Sequence, residues 1–391
     1  MGKRIVITGG HLTPALAVIS ELKKGGDWQV CFIGRKHALE GEKTISVEYK
    51  TINNLGIPFF NLTTGRLQRS LTRYTIPSVF KIPFGFIQAF FLLNKIKPDV
   101  ILSFGGYLAL PVVFASWLKG VPVLTHEQTA VPGLANRIIA FFAQKICVSW
   151  PQTLKFFPKK KVVLTGNPIR REIFKYQISN IPSARVHSES SLRGAQGEGK
   201  YQISNEDLPL IYITGGSLGA HSINAVVGQI LQKLLSRYRI IHQCGQTEVY
   251  KDYDKLSIIS CQLSDTIRRR YFLTKYVENK DIGWVLNSAD LVISRAGANT
   301  ISELAVLGKP AILIPLPWAG GGEQMENAKI LKKVGMVEIL EQQNLTGKTL
   351  LRDIDMMLKN IGEYHQNCQT AKKLIRLDAE RQIVRELETL I

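Results

Sequence analysis

A chain of 391 residues that is 45% hydrophobic and 21% charged holds enough apolar material for two ordinary cores, which excludes wholesale disorder. Its formal charge of +19 is uneven: residues 1–175 hold 24 Lys/Arg against 8 Asp/Glu, and the remainder 26 against 23. The basic first part calls for an anionic partner, with a solvated basic face as the plain alternative. There is no zinc-finger or RNA-recognition signature, and no Lys/Arg block beyond Lys159-Lys160-Lys161. The expected partner is therefore an anionic membrane surface and not nucleic acid. Five cysteines without C-x-x-C spacing read as reduced thiols, with no disulfide frame and no metal site.

In chain order, the apolar run 5–7 is too short for a signal peptide and reads as a buried strand. Gly2 opens no myristoylation signal, because Val6 stands where Ser or Thr is required. Further strands are predicted over 30–33, 100–103, 121–124 and 145–148, with a helix over 14–22 that places Leu16, Ile19 and Leu22 near one face. The pattern restarts with strands over 210–214, 240–242, 291–294 and 311–314, and helices over 222–236 and 298–307. Strands alternating with helices imply a parallel, doubly wound sheet. Two such series predict an α/β protein of two Rossmann-like domains facing across a cleft.

The divisions expected are a first domain over 1–166, a hinge and flexible insert over 167–207, a second domain over 208–365, and a C-terminal helix over 366–391 free to return to the first domain. The insert is polar and aperiodic, and KYQISN occurs at both 175–180 and 200–205, a local duplication without an evident role. Residues 66–97 mix Arg66, Arg69, Arg73, Lys81, Lys95 and Lys97 with Tyr74, Phe80, Phe84, Phe86, Phe90 and Phe91. Pro77, Lys81, Pro83 and Gln88 interrupt any bilayer span. The segment reads as one that lies on a membrane surface; the alternative is a helix whose Phe residues enter the core.

Four glycine turns follow strands: Thr8-Gly9-Gly10-His11, Phe104-Gly105-Gly106-Tyr107, Gly215-Gly216-Ser217-Leu218-Gly219-Ala220, and Arg295-Ala296-Gly297-Ala298-Asn299-Thr300. Such turns expose backbone N–H groups at positive helix ends, and ligands of parallel sheets bind at strand carboxyl ends. Two anionic ligands are expected, one for each domain. No turn matches a P-loop, and the first lacks a full G-x-G-x-x-G, which disfavours a dinucleotide dehydrogenase. Asp252-Tyr253-Asp254 and Asp353-Ile354-Asp355 match a D-x-D pattern but follow no strand, and are read as solvated helix or loop acids.

These motifs, in this order, resemble the MurG family of peptidoglycan glycosyltransferases over nearly the whole chain. They are Thr8-Gly9-Gly10-His11, Gly105-Gly106-Tyr107, His126-Glu127-Gln128, Gly133-Leu134-Ala135-Asn136-Arg137, Asn167-Pro168 with Arg170, the Gly215–220 turn, residues 294–303, and Gln324-Met325-Glu326-Asn327-Ala328. The resemblance implies a GT-B fold and transfer of N-acetylglucosamine from UDP-GlcNAc to an undecaprenyl-diphosphate-linked N-acetylmuramoyl-pentapeptide, without a cofactor, at the cytoplasmic face of the membrane.

It also implies site residues. The donor would meet Ser217 and Arg170 at its diphosphate, the Val277 backbone at uracil, and Glu303 at the ribose. The amides of Ala298, Asn299, Thr300, Ile301 and Ser302 would serve it too, and Gln324 would bind the sugar hydroxyls. Thr8, Gly9, Gly10 and Thr129 join this set, while Gly105, Gly106, Tyr107 and Asn136 would face the acceptor. The chain departs from the family pattern at Val6-Ile7, Thr129, Ala109-Leu110 and Glu323. His11 is the first candidate for the base that deprotonates the acceptor hydroxyl and Glu127 the second. A structural role for His11 at the turn is the alternative. Other readings are transfer to a different lipid, epimerisation of a UDP-sugar, and binding without turnover.

Overall fold

The computed structural model describes residues 2–37, 45–65, 75–174, 203–204, 206–318 and 321–391, excluding the side chains of 75–80. Arg66, Arg69, Arg73 and Tyr74 lie outside the described residues, as do both KYQISN copies apart from Ile203 and Ser204. The chain forms two compact units, Met1–Arg170 with Arg376–Ile391, and Arg171–Ile375.

The first unit runs β1 (Lys3–Thr8), α1 (Leu12–Gly25), β2 (Trp28–Gly34), α2 (Val47–Asn54), β3 (Phe59–Asn61), α3 (Thr75–Ile96), β4 (Val100–Ser103), α4 (Ala109–Leu118), β5 (Val123–Glu127), α5 (Leu134–Phe142), β6 (Lys145–Val148) and β7 (Val162–Leu164). Its seven strands are parallel, in the order β3-β2-β1-β4-β5-β6-β7. Ile5, Val6 and Ile7 are fully buried because helices cover both faces, so the strand reads as one apolar run and does not alternate. Ile5 and Ile7 pack with Val18, Ile19 and Leu22 on one face; Val6 and Ile101 pack with Leu93, Val112 and Ile139 on the other. Each such side chain contributes about 1.5–3 kcal/mol by leaving water. The helix α1 ends at Gly26, whose φ of 75° is the left-handed cap that glycine adopts without strain.

The second unit runs β8 (Leu210–Thr214), α6 (His221–Leu235), β9 (Arg239–Gln243), α7 (Asp252–Cys261), the single turn α8 (Asp265–Arg268), β10 (Tyr271–Thr274), α9 (Ile282–Ser288), β11 (Leu291–Ser294), α10 (Ala298–Leu307), β12 (Ala311–Leu313), α11 (Glu323–Lys333), β13 (Val337–Ile339), α12 (Gly347–Lys359) and α13 (Ile361–Lys372). Its parallel order is β10-β9-β8-β11-β12-β13. In both units strand order reverses beside the first strand, between β1 and β4 and between β8 and β11. The four glycine turns follow these four strands.

The helix α13 stays in the second unit and the chain rejoins the first at Arg376. There α14 (Ala379–Glu388) buries Ile383 and Leu387 against the β1 face, an i, i+4 pair on one side of the helix. Lys145 Nζ to Glu386 Oε2 at 2.6 Å and Arg376 Nη1 to the Leu164 carbonyl at 2.8 Å fix its ends.

Two expectations shift. The strand predicted over 121–124 is β5 at Val123–Glu127, because Pro122 has no N–H and serves only as acceptor, for Ile101 N at 2.9 Å. The acids of the D-x-D patterns are not all solvated. Asp252 is buried, with Oδ1 on His221 Nδ1 at 2.7 Å and Oδ2 accepting from Asn224 Nδ2 at 2.8 Å. Asp353 is buried against the Arg352 guanidinium at 2.8 Å.

Candidate active site

In the first unit, the turns after β1 and β4 are packed backbone to backbone. Gly9 has φ 131°, and a Cβ there would lie 2.9 Å from the Phe104 carbonyl carbon. Gly105 has φ 73°, and its Cβ would lie 2.4 Å from Asn136 Oδ1, so a side chain has neither the conformation nor the space. Gly10 and Gly106 face each other, with the Gly106 Cβ position 3.6 Å from Gly10 N. Thr8 is fully buried at the end of β1, and its Oγ1 has no hydrogen-bond partner among the described residues.

His11 stands at the N-cap position of α1 but makes no side-chain cap bond. Burial lowers its pKa, so the imidazole is neutral near pH 7 with a lone pair able to take a proton. Glu127, at the end of β5, is differently placed. Its Oε1 accepts from Thr129 N at 2.9 Å and Thr129 Oγ1 at 2.7 Å, and its Oε2 accepts from Asn136 Nδ2 at 2.8 Å. Burial raises its pKa, opposed by these bonds and one from the Gly133 backbone. Glu127, Thr129 and Asn136 thus form one buried cluster behind Gly105. Asn136 fills the space beside that glycine, and Thr129 Oγ1 lies 2.7 Å from both Glu127 Oε1 and the Val131 carbonyl. Tyr107 carries the Arg35 guanidinium 5.4 Å from its ring centroid. Arg170 is the last residue of this segment of the unit.

In the second unit, the turn after β8 is as tight. The Cβ of Gly219 would sit 2.0 Å from the Cys244 carbonyl oxygen, and that of Gly215 2.2 Å from Ala220 N. Gly216 and Gly219 have φ of 87° and 85°, so no helix forms there. Ser217 was expected at a helix N-terminus, yet α6 opens only at His221. Ser217 is an exposed residue of the preceding loop, and its carbonyl accepts from Gln246 N at 3.0 Å.

After β11, Gly297 caps α10 and its carbonyl accepts from Ile301 N at 3.0 Å. That is the first rung of the helix, so the end-on amides are those of Ala298, Asn299 and Thr300. Ile301 and Ser302 lie within the helix, the Ser302 hydroxyl donating to the Ala298 carbonyl at 3.0 Å. Glu303 follows one turn in and is buried. Gln324, in the first turn of α11, accepts from Leu316 N at 2.9 Å. Val277 N donates to Gln243 Oε1 at 2.9 Å, which commits the amide and not the carbonyl of Val277.

Sequence reasoning gave no role to three residues here. Arg295 bonds Ser222 Oγ at 2.8 Å, Gln342 Oε1 at 2.7 Å and the Ile314 carbonyl at 3.0 Å, and burial lowers its pKa to about 10. Asn224 bonds the Cys244 carbonyl at 2.8 Å, the carbonyl against which Gly219 packs. Gln243 is the third. Its strand, RIIHQ, already carries Arg239 and His242, so polarity alone does not mark Gln243.

Glycine turns stand at strand carboxyl ends beside the reversal point of each sheet, the place where parallel α/β sheets bind ligands. Two parallel α/β domains of this kind define the GT-B class of glycosyltransferase. Residues 7–148 match the glycosyltransferase family 28 N-terminal domain and residues 210–383 its C-terminal domain. The chain is 35% identical over 376 residues, 95% of each chain, to a Clostridium botulinum protein named UDP-N-acetylglucosamine--N-acetylmuramyl-(pentapeptide) pyrophosphoryl-undecaprenol N-acetylglucosamine transferase. A Bacillus cereus protein with that name and the suffix 2 is 35% identical over 364 residues, 92% of each chain. Acinetobacter baumannii MurG superposes with a TM-score of 0.65 at 26% identity, covering 99% of both chains. A Neisseria meningitidis UDP-GlcNAc 2-epimerase superposes at 0.68 with 16% identity, over 99% of this chain and 100% of that one, a likeness of fold alone. The chain belongs to glycosyltransferase family 28 and, within it, to the MurG transferases.

The buried histidines give a stability signature. Burial lowers His126 to about 4 and His242 to about 3, each below the unfolded value near 6.5. Between pH 6.5 and about 4 the unfolded chain therefore binds more protons, and stability falls on acidification by up to about 1.4 kcal/mol per pH unit for each histidine. Glu48, raised to about 7 by burial, acts with the opposite sign between pH 4.5 and 7. The readout is accordingly the difference between wild type and variant. Urea unfolding of His242→Asn is expected to fall less steeply from pH 6.5 to 4.5 than that of wild type; parallel curves would contradict the assignment.

Proposed function

We propose that the chain transfers N-acetylglucosamine, with inversion, from UDP-GlcNAc to undecaprenyl-diphosphate-linked N-acetylmuramoyl-pentapeptide in peptidoglycan synthesis. The observation that carries this reading is the pair of glycine turns at the reversal point of each sheet, in a chain 35% identical over 95% of its length to transferases of that name. The second unit takes the donor. The amides of Ala298, Asn299 and Thr300, with the Ser217 hydroxyl, neutralise the diphosphate as its bond to the sugar breaks. Glu303 accepts from the ribose hydroxyls, Gln324 binds the sugar, and the Val277 carbonyl reads the base.

The first unit takes the acceptor at Gly105, Gly106 and Tyr107, with Thr8, Gly9 and Gly10 lining the diphosphate turn. His11 removes the proton of the attacking hydroxyl. Its uncommitted cap position favours it over Glu127, whose two oxygens already accept from Thr129 and Asn136. Glu127 is accordingly a positioning residue that holds Asn136 against Gly105.

We place the enzyme peripherally on the cytoplasmic face of the membrane. No helix among the described residues is long and apolar enough to cross a membrane. The helix α3 turns Ala89 and Leu93 into the core and leaves Phe84, Ile87 and Phe91 exposed, beside exposed Trp117 and Leu118 of α4. Lys119 Nζ lies 4.8 Å from the Phe90 ring centroid, so cation and apolar surface share one patch. Such a patch suits anionic lipid.

Release of UDP from UDP-GlcNAc is expected only with the lipid-linked muramoyl-peptide. His11→Ala should lower kcat about a hundredfold to ten-thousandfold and remove an acid limb with an apparent pKa below 6.5. Wild-type turnover by that variant would exclude His11 as base. Release with another lipid only, or isomerised UDP-sugar without acceptor, would overturn the reaction. For the surface patch, Phe90→Ser with Phe91→Ser should cut co-flotation with anionic vesicles by about tenfold or more while sparing turnover of a soluble acceptor. Undiminished flotation would contradict the docking surface.

A further inference from the structure

We infer that Gln243 is a positioning residue that sets the spacing between the base-reading and diphosphate-binding parts of the donor site, and so makes the site selective for an intact nucleoside diphosphate over a nucleoside. The inference rests on the donor-site reading above for Val277 and the Gly215–220 turn.

The strand β9 lies between β8 and β10, so its last residue stands between the turns that follow those strands. That residue is Gln243, 5% exposed. Its Nε2 donates to the Gly216 carbonyl at 2.9 Å and to Thr214 Oγ1 at 3.1 Å. Its Oε1 accepts from Val277 N at 2.9 Å and from Tyr212 Oη at 3.3 Å. Thr214 Oγ1 in turn accepts from Gly216 N at 3.1 Å. Both amide hydrogens and both carbonyl lone pairs are used, the full capacity of a glutamine. A carbonyl cannot donate and a backbone N–H cannot accept, so the amide has one orientation only. One rigid group therefore ties the anion-binding turn to the residue that faces the base.

No other side chain reproduces this. Glutamate keeps the acceptor for Val277 but turns a carboxylate oxygen on the Gly216 carbonyl. Methionine keeps the length and loses every bond. Leaving buried polar partners unmet costs about 1–3 kcal/mol each, enough to shift the turns and not only to weaken them.

The test is calorimetric titration of wild type, Gln243→Glu and Gln243→Met with UDP and with uridine, alongside thermal melting and separate KM values for UDP-GlcNAc and acceptor. For Gln243→Glu the UDP-to-uridine affinity ratio should fall about tenfold or more. Uridine binding itself should stay near wild type. For Gln243→Met, KM for UDP-GlcNAc should rise about tenfold with KM for the acceptor unchanged. The Met variant tests the inference should the Glu variant fail to fold. An unchanged ratio in Gln243→Glu, or KM values for donor and acceptor that rise together in Gln243→Met, overturns the inference while leaving the donor site in place. A wild-type protein that binds neither UDP nor uridine overturns the donor-site reading, and this inference with it.

Discussion

Backbone packed directly on backbone beside the first strand of each sheet is the constraint on which the site depends. A Cβ at Gly219 would meet the Cys244 carbonyl oxygen at 2.0 Å, and one at Gly9 the Phe104 carbonyl carbon at 2.9 Å. Glycines at these positions let neighbouring segments approach closer than any side chain would allow. Side chains there would push the turns apart. The parallel sheets supply the other half of the arrangement, since they deliver strand ends and helix starts to the same edge.

Buried polar groups hold these turns in place. In the first unit Glu127 gathers Thr129 and Asn136 behind Gly105. In the second, Asp252 holds Asn224, which holds the Cys244 carbonyl, while Gln243 and Arg295 tie the turns after β8 and β11 to their neighbours. Each cluster is closed by hydrogen bonds, which is what makes its burial affordable and its geometry singular. Removing one member leaves its partners desolvated, so the effect spreads to the turn it supports.

The central strands and the glycine turns were legible in the sequence because both leave local marks. β1, β4, β8 and β11 are uninterrupted apolar runs, buried on two faces, and each is followed by glycine. The outer strands β3, β7, β10 and β13 were not legible: each lies at a sheet edge and is only partly buried, so no fully apolar run marks it. Glu127 could be picked out, but not that its oxygens are spoken for. Asp252 looked like a solvated acid because its partners His221 and Asn224 lie some thirty residues away. Gln243 left no mark, since its strand also carries Arg239 and His242. Motifs record which residues meet a ligand; the residues that aim them are joined by contacts between elements, which spacing along one chain does not encode.

The most direct measurement of the central claim is hydrogen exchange of the backbone amides with and without UDP. The account predicts added protection at Gly215–Gly219, at Val277 and its neighbours and at the first turn of α10, with the turns after β1 and β4 little changed. Protection centred instead on the turns of the first unit, or none at the β8 and β11 turns, would contradict the assignment of the nucleotide to the second unit.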